Sequence, residues 1–328
     1  MRYFLQIPGY AGGTGSFGRY GTGFFLAVML LFPLRAVAAP SVAVSIRPLH
    51  SLVAAVMDEV GVPALIVQGA GSEHGYQLRP DDAKKLASAD IVFWAGPQME
   101  TFLVKPLENL SSGAAIVALA NGPGVHLLTM RSGGNFGLRH HVREHDDETD
   151  GSGDDHRQDL HFWLDPQNAG AALHTIADIL ARKDPANAGH YRTNAKAYEQ
   201  RLKKLMAEVD HELAPFRGRP FIVFHDAYQY FEKRFNMPAA GSITVSPEQA
   251  PGVRWIAELR NKVKKLGSVC IFSEPQFEPR LVATVIEGTH ARTGVLDPLG
   301  ADIRQGPEQY PALIRNLADS LKNCLASE

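Results

Sequence analysis

One stretch limits the fold more than any other. Between Asp184 and Pro215 the chain carries a single helical pattern, opened by Pro185 in the first turn and closed by Pro215. Tyr191, Ala195, Tyr198, Leu202, Leu205, Val209 and Leu213 recur every three or four residues and make one apolar stripe, while Lys196, Glu199, Lys203, Lys204 and Glu208 face elsewhere. The spacing predicts a rigid amphipathic helix of about seven to eight turns, roughly 45 Å at 1.5 Å per residue. Alternating strand and helix patterns precede it and resume after it at Phe221-Ile222-Val223-Phe224. That order predicts an α/β protein of two (β/α) lobes, each with a mainly parallel sheet: a first lobe over 39–183, the linking helix over 184–215 and a second lobe over 216–328. A surface helix within one larger domain is the competing reading.

The first 38 residues differ in kind. Arg2 and Arg19 precede the apolar run Phe24–Phe32, and Ala36-Val37-Ala38 offers small residues at cleavage spacing, so 1–38 reads as a secretory signal peptide cut after Ala38. The apolar run is about half the roughly 20 residues that a spanning helix needs. With no cysteine near the cleavage site, a lipid anchor is not expected, and the mature chain is placed in the periplasm as a free protein. A net charge of −2 over 328 residues argues against nucleic acid as a partner. The two cysteines, Cys270 and Cys324, are expected to pair in such an oxidising compartment, closing a loop that contributes about 4 kcal/mol on the chain-entropy estimate. A metal site built on both thiols is the alternative.

Three histidines stand where this type of fold presents chemistry. His74 follows Glu73 in a glycine-rich loop after the second strand pattern, Ala64–Val67. His161 sits among large apolar residues in Leu160-His161-Phe162-Trp163-Leu164-Asp165-Pro166, where exclusion of water would keep an imidazole neutral and ligating. His225 ends the buried strand Phe221–Phe224, and Glu274 and Asp297 end later strands on the same rim. Each histidine alone has a bland reading, solvated in a loop or satisfied in a core. Together, with two walls facing across the long helix, they suit a divalent transition metal, Zn²⁺ first among them, in a tetrahedron completed by a carboxylate or water.

Between Met130 and Asp159 periodicity stops and Gly, His, Asp and Glu dominate, with His140, His141, His145 and His156 among them. Such composition predicts a mobile acidic and histidine-bearing loop, about 126–159, either gathering metal weakly or serving only as a solubilising insertion.

The segments Gly69–Asp81, Leu160–Pro166, Phe224–Lys233, Ser273–Phe277 and Leu296–Gly300 resemble, in order, those of the ZnuA-type periplasmic zinc-binding proteins of ABC importers. The resemblance spans essentially the whole mature chain. It implies two (β/α) lobes with limited closure, His74, His161 and His225 as zinc ligands, Cys270 paired with Cys324, and a membrane permease of an ABC importer as partner. It further implies a receptor rather than an enzyme, expected to be monomeric. For the fourth ligand, Glu73 or a water is favoured. Asp297 is the lesser alternative, since it matches the place where manganese-type relatives use an aspartate. The insertion has fewer histidines than many relatives carry, which weakens a storage role. A manganese receptor of the same family is one rival; a zinc-dependent hydrolase with Glu73 as general base is the other, although HExxH-type spacing is lacking.

Overall fold

Strand residues alternate between two apolar environments, and that alternation sets the layers. The computed structural model describes residues 39–131, 157–244, 247, 251–267 and 269–326, so the expected signal peptide and most of the polar insertion lie outside the described residues. In the first lobe β1 (Val42–Val44), α1 (Arg47–Val56), β2 (Ala64–Leu65), α2 (Pro80–Ser88), β3 (Ile91–Trp94), α3 (Val104–Leu110) and β4 (Ala115–Ala118) form a parallel sheet of order β2-β1-β3-β4. Val42, Val44, Ile91 and Phe93 point into the main core, whereas Ala43, Val92 and Trp94 face a separate cluster with Leu86, Leu103 and Leu107 from α2 and the α3 region.

A two-stranded antiparallel ribbon, β5 (Leu128–Thr129) with β6 (Gln158–Asp159), then leads into α4 (Pro166–Lys183) and α5 (Ala188–Leu213). The second lobe repeats the first lobe's logic with β7 (Phe221–His225), α6 (Gln229–Phe235), β8 (Gly241–Thr244), α7 (Val253–Leu266), β9 (Cys270–Ser273), α8 (Arg280–Ile286), β10 (Arg292–Val295) and α9 (Gln309–Ala326). Its parallel sheet has the order β10-β9-β7-β8. Phe221, Val223, Cys270 and Phe272 face the main core, and Ile222, Phe224 and Ile271 face an outer cluster with Leu259 and Val263 of α7.

Helix α5 links the two lobes. Its buried residues are Tyr191, Ala195, Tyr198, Leu202, Leu205, Val209 and Leu213, the stripe that the spacing selects. The regular helix is 26 residues, about 39 Å, and shorter than expected at both ends. Its entry is a 3₁₀ turn, Pro185–Asn187, held because Asp184 accepts hydrogen bonds from Asn187 (2.7 Å) and Tyr191 (2.8 Å). Its exit is a second 3₁₀ turn, Ala214–Phe216, which contains Pro215. The helix packs on α4, α1, α9 and α6, and α1 also packs directly on α9, so one continuous core runs through both lobes. Cys270, opening β9, is disulfide-bonded to Cys324 in α9.

Helix α2 starts at Pro80, and the Asp82 carboxylate accepts the Arg79 N–H at 3.1 Å. The ends of the polar segment are also folded, because Leu128–Thr129 pairs with Gln158–Asp159 and His126 exchanges backbone hydrogen bonds with the Asn168 side chain at 2.9 and 3.0 Å. No helix among the described residues is long and apolar enough to cross a membrane.

Candidate metal centre

Each of the three sequence-selected imidazoles arrives from a different element. His225 is the last residue of β7 and continues the parity of Phe221 and Val223 toward the main core. His161 precedes the 3₁₀ turn Phe162–Leu164, which is buried throughout. His74 lies in the loop from β2 to α2, where Gly71 is needed because a Cβ there would meet the Tyr76 ring at 2.8 Å. The loop is further fixed by a 3.1 Å hydrogen bond from the His74 N–H to the Ser72 hydroxyl.

These residues converge. His74 Nε2 lies 3.2 Å from His161 Nε2, which lies 3.4 Å from His225 Nε2. The three ring centroids are 5.2 to 5.4 Å apart. Glu73 completes the group, its Oε1 at 3.7 Å from His161 Nε2 and 3.9 Å from His74 Nε2, and one ligand atom from each of the four residues lies within 4.8 Å of every other. Asp297 is not brought in. Its carboxylate accepts the backbone N–H groups of Leu299 (3.0 Å), Gly300 (2.9 Å) and Ala301 (2.6 Å) together with the Gln276 amide (2.8 Å), which organises its own loop.

Carboxylates behind two of the rings fix their tautomers. Asp159 Oδ1 lies 2.7 Å from His161 Nδ1, and Glu274 lies 2.8 Å from His225 Nδ1. A carboxylate at that distance assigns a proton to Nδ1 and leaves Nε2 as the atom that faces its neighbours and can ligate. Asp159 also accepts the backbone N–H of His161 at 2.9 Å, a two-residue Asx turn that sets the ring's orientation. Glu274 follows from strand register: β7 pairs with β9 so that Phe221 stands beside Cys270, and four residues further on His225 stands beside Glu274.

Three imidazole Nε2 atoms and a fully buried carboxylate meet here. Both Glu73 oxygens are buried without a hydrogen-bond partner among the described residues. A divalent ion satisfies all of them. Zn–N bonds of 2.0–2.1 Å in a tetrahedron put nitrogens about 3.3 Å apart, close to the separations found. Protonation follows the same geometry. Burial pushes the His74 imidazole down to about 3, so it is neutral and ready to ligate. Burial also disfavours a charge on His161, but the Asp159 and Glu73 carboxylates outweigh it and raise this imidazole to about 10. For Glu73, burial favours the neutral acid; the facing imidazoles, His161 foremost, overcome it and hold the carboxyl at about 2.

Two parallel α/β lobes on one long helix, with a buried histidine and carboxylate cluster where strand ends and loops meet, define a two-lobed solute-binding protein with a candidate metal centre. Residues 42–324 match the family described as ZnuA, zinc-uptake complex component A, periplasmic. The chain belongs to that family, which consists of transport receptors rather than enzymes. It is similar to the high-affinity zinc uptake system protein ZnuA of Brucella suis biovar 1 (strain 1330), with 55% identity over 87% of this chain and 91% of that one. The protein of the same name from Yersinia pestis is 36% identical over 91% of this chain and 95% of that one. Among solved structures, a crystal structure of ZnuA aligns with a TM-score of 0.70 at 25% identity, covering 86% of this chain and 99% of that one.

The sequence reading placed the three histidines, Glu73 and the rim position of Glu274. It did not single out Asp159. The signal was present as an aspartate two residues before a histidine, the spacing of an Asx turn, but it was absorbed into the polar insertion.

Proposed function

We propose that this chain is a periplasmic zinc receptor that takes Zn²⁺ into the centre formed by His74, His161, His225 and Glu73 and delivers it to the permease of an ABC importer. The observation that carries this reading is the approach of the imidazole Nε2 atoms to 3.2 and 3.4 Å beside a fully buried carboxylate that has no hydrogen-bond partner among the described residues. Imidazole donors with one carboxylate favour zinc over hard cations, which take more oxygen ligands. Asp297, the oxygen donor a manganese site would recruit, is committed to three hydrogen bonds in its own loop and a fourth from Gln276 in the loop after β9.

Glu73 is therefore assigned the fourth position in preference to Asp297. Zinc entry displaces the proton held on His161 and leaves the ring anchored through Asp159. His74 is the most accessible ligand, with 18% of its side chain exposed against 7% for His161 and 1% for His225, so the ion enters and leaves past His74. Little lobe movement is needed. Hydrogen bonds from Trp163 to Pro298 O (3.0 Å), Tyr310 to Trp163 O (2.6 Å) and Ser51 to Gly306 O (2.8 Å) already hold the lobes together. The chain is assigned to the periplasm as a monomer, exported by a cleaved signal peptide over 1–38.

The test is elemental analysis of the mature protein purified from its native compartment, followed by competition of zinc against manganese. One zinc per chain, retained against excess manganese and lost when His74, His161 and His225 are all replaced by alanine, is expected. Retention of tight zinc in the triple variant would overturn the assignment.

A further inference from the structure

Arg131 lies two residues beyond β5, and it reaches across to the other lobe. Its Nε lies 3.0 Å from both carboxylate oxygens of Asp226, and its Nη1 and Nη2 lie 2.9 and 2.8 Å from the two oxygens of Glu232. Nη2 also contacts Asp226. Both acids are buried, at 9% and 5% exposure, and Glu232 additionally accepts the Ala239 N–H at 3.0 Å. Asp226 follows His225 directly, and Glu232 lies on α6, the helix that starts a few residues later.

The same helix is tied to the same ribbon on its other side. Gln229 donates to Thr129 O and to the Asp159 carboxylate, at 3.2 Å each. The Tyr230 hydroxyl accepts the Leu128 N–H at 2.9 Å and donates to Asp159 O. Asp159 in turn orients His161. A closed circuit of contacts thus runs from Arg131 through Asp226 to His225, across the 3.4 Å gap to His161, and back through Asp159 and Tyr230 to the ribbon.

We propose that Arg131 is a positioning residue for metal binding: its two-carboxylate clamp fixes the gap between His161 and His225, so that the nitrogens from opposite lobes are preorganised at zinc-ligand spacing. The assignment rests on the zinc-receptor reading. The planar guanidinium holds two acids in one plane, which a lysine cannot do. Without it, two buried carboxylates face each other uncompensated and push the start of α6 off the ribbon. The direction of the effect separates this role from simple electrostatics. Removing a positive charge near a cation site tightens binding if charge alone matters, whereas loss of preorganisation loosens it.

The experiment compares the wild type with Arg131→Lys, Arg131→Met and the triple variant Arg131→Met/Asp226→Asn/Glu232→Gln, which leaves no unpaired charge buried. Zinc dissociation is followed by chelator chase, Co²⁺ coordination by its visible absorption, and folding by thermal melting. Loss of an outer support of a metal ligand costs roughly 10–100-fold in affinity. The clamp predicts zinc release at least about 10-fold faster in Arg131→Met and in the triple variant, an intermediate rate in Arg131→Lys, and a weakened tetrahedral Co²⁺ band in variants that remain folded. If Arg131→Met does not fold, Arg131→Lys decides, because it keeps the charge and loses only the planar two-carboxylate geometry, whereas the triple variant also removes two negative charges. Release rates within about twofold of wild type, or tighter binding, overturn the proposal. A wild-type protein that binds neither Zn²⁺ nor Co²⁺ in the same experiment overturns the receptor reading instead.

Discussion

Lowering the pH from 8 to 5 should weaken zinc binding by at least about a thousandfold, because at least one proton competes with the ion throughout that range. In the ion-free pocket the Asp159 and Glu73 carboxylates, working against burial, raise His161 to about 10, so this ring holds its proton at every pH in the window. Zinc must displace that proton. Burial keeps His74 neutral, at about 3, and the surrounding imidazoles keep Glu73 ionised, at about 2, so neither contributes a competing proton there. These three groups then give at least one proton released per zinc and at least about a tenfold loss of affinity per pH unit lost. Over three units that amounts to about 4 kcal/mol at 1.36 kcal/mol per unit. The sign is fixed: binding strengthens as pH rises, and it keeps strengthening above 7. A ligand set titrating at the ordinary imidazole value near 6.5 would instead level off there. Competition against a chelator of known pH-dependent affinity measures the slope, and calorimetry in buffers of different ionisation enthalpy counts the protons. Affinity flat between pH 7 and 8, with no proton released at pH 7.5, would refute the reasoning.

Further outcomes follow from the same geometry. Asp159→Asn and Glu274→Gln should weaken zinc by roughly 10–100-fold, and alanine at His74, His161 or His225 by more, in the same competition assay; equal losses for both classes would argue against the division between ligands and their supports. Replacing Cys270 and Cys324 by serine should lower stability by about 4 kcal/mol and the melting temperature by about 7 °C, and an unchanged melt would show that the cross-link does not stabilise the fold. Leu205→Ala, in the buried stripe of α5, should cost about 2–5 kcal/mol and still give a single unfolding transition, because both lobes share one core. Two separated transitions would contradict that shared core.

The parts of this molecule that are legible in sequence are those governed by local period. The stripe on α5 repeats on one helix face, and Phe221–Phe224 is a continuous apolar run of strand length, so both element types and the two-lobe order follow from local pattern. His74, His161 and His225 were found by their places after strands or among apolar residues, strengthened by the family resemblance. What spacing could not show depends on register and on long-range contact. Glu274 was visible at the rim, but only the pairing of Phe221 with Cys270 puts it beside His225. Asp297 looked equivalent, and it is turned away by backbone N–H groups that its own loop presents. Arg131 sits at the edge of a stretch without periodicity, and nothing local marks its partners 95 and 101 residues later. The ribbon of β5 and β6 was hidden for the same reason, since two-residue strands carry too little pattern to read.

X-ray absorption at the zinc edge, combined with anomalous diffraction from crystals of the zinc-loaded mature protein, tests the central claim most directly. The account predicts a single ion with three imidazole nitrogens, from His74, His161 and His225, at about 2.0–2.1 Å and one oxygen from Glu73. An ion bound with fewer than three of these imidazoles, or coordinated by Asp297 in place of one of them, would contradict it.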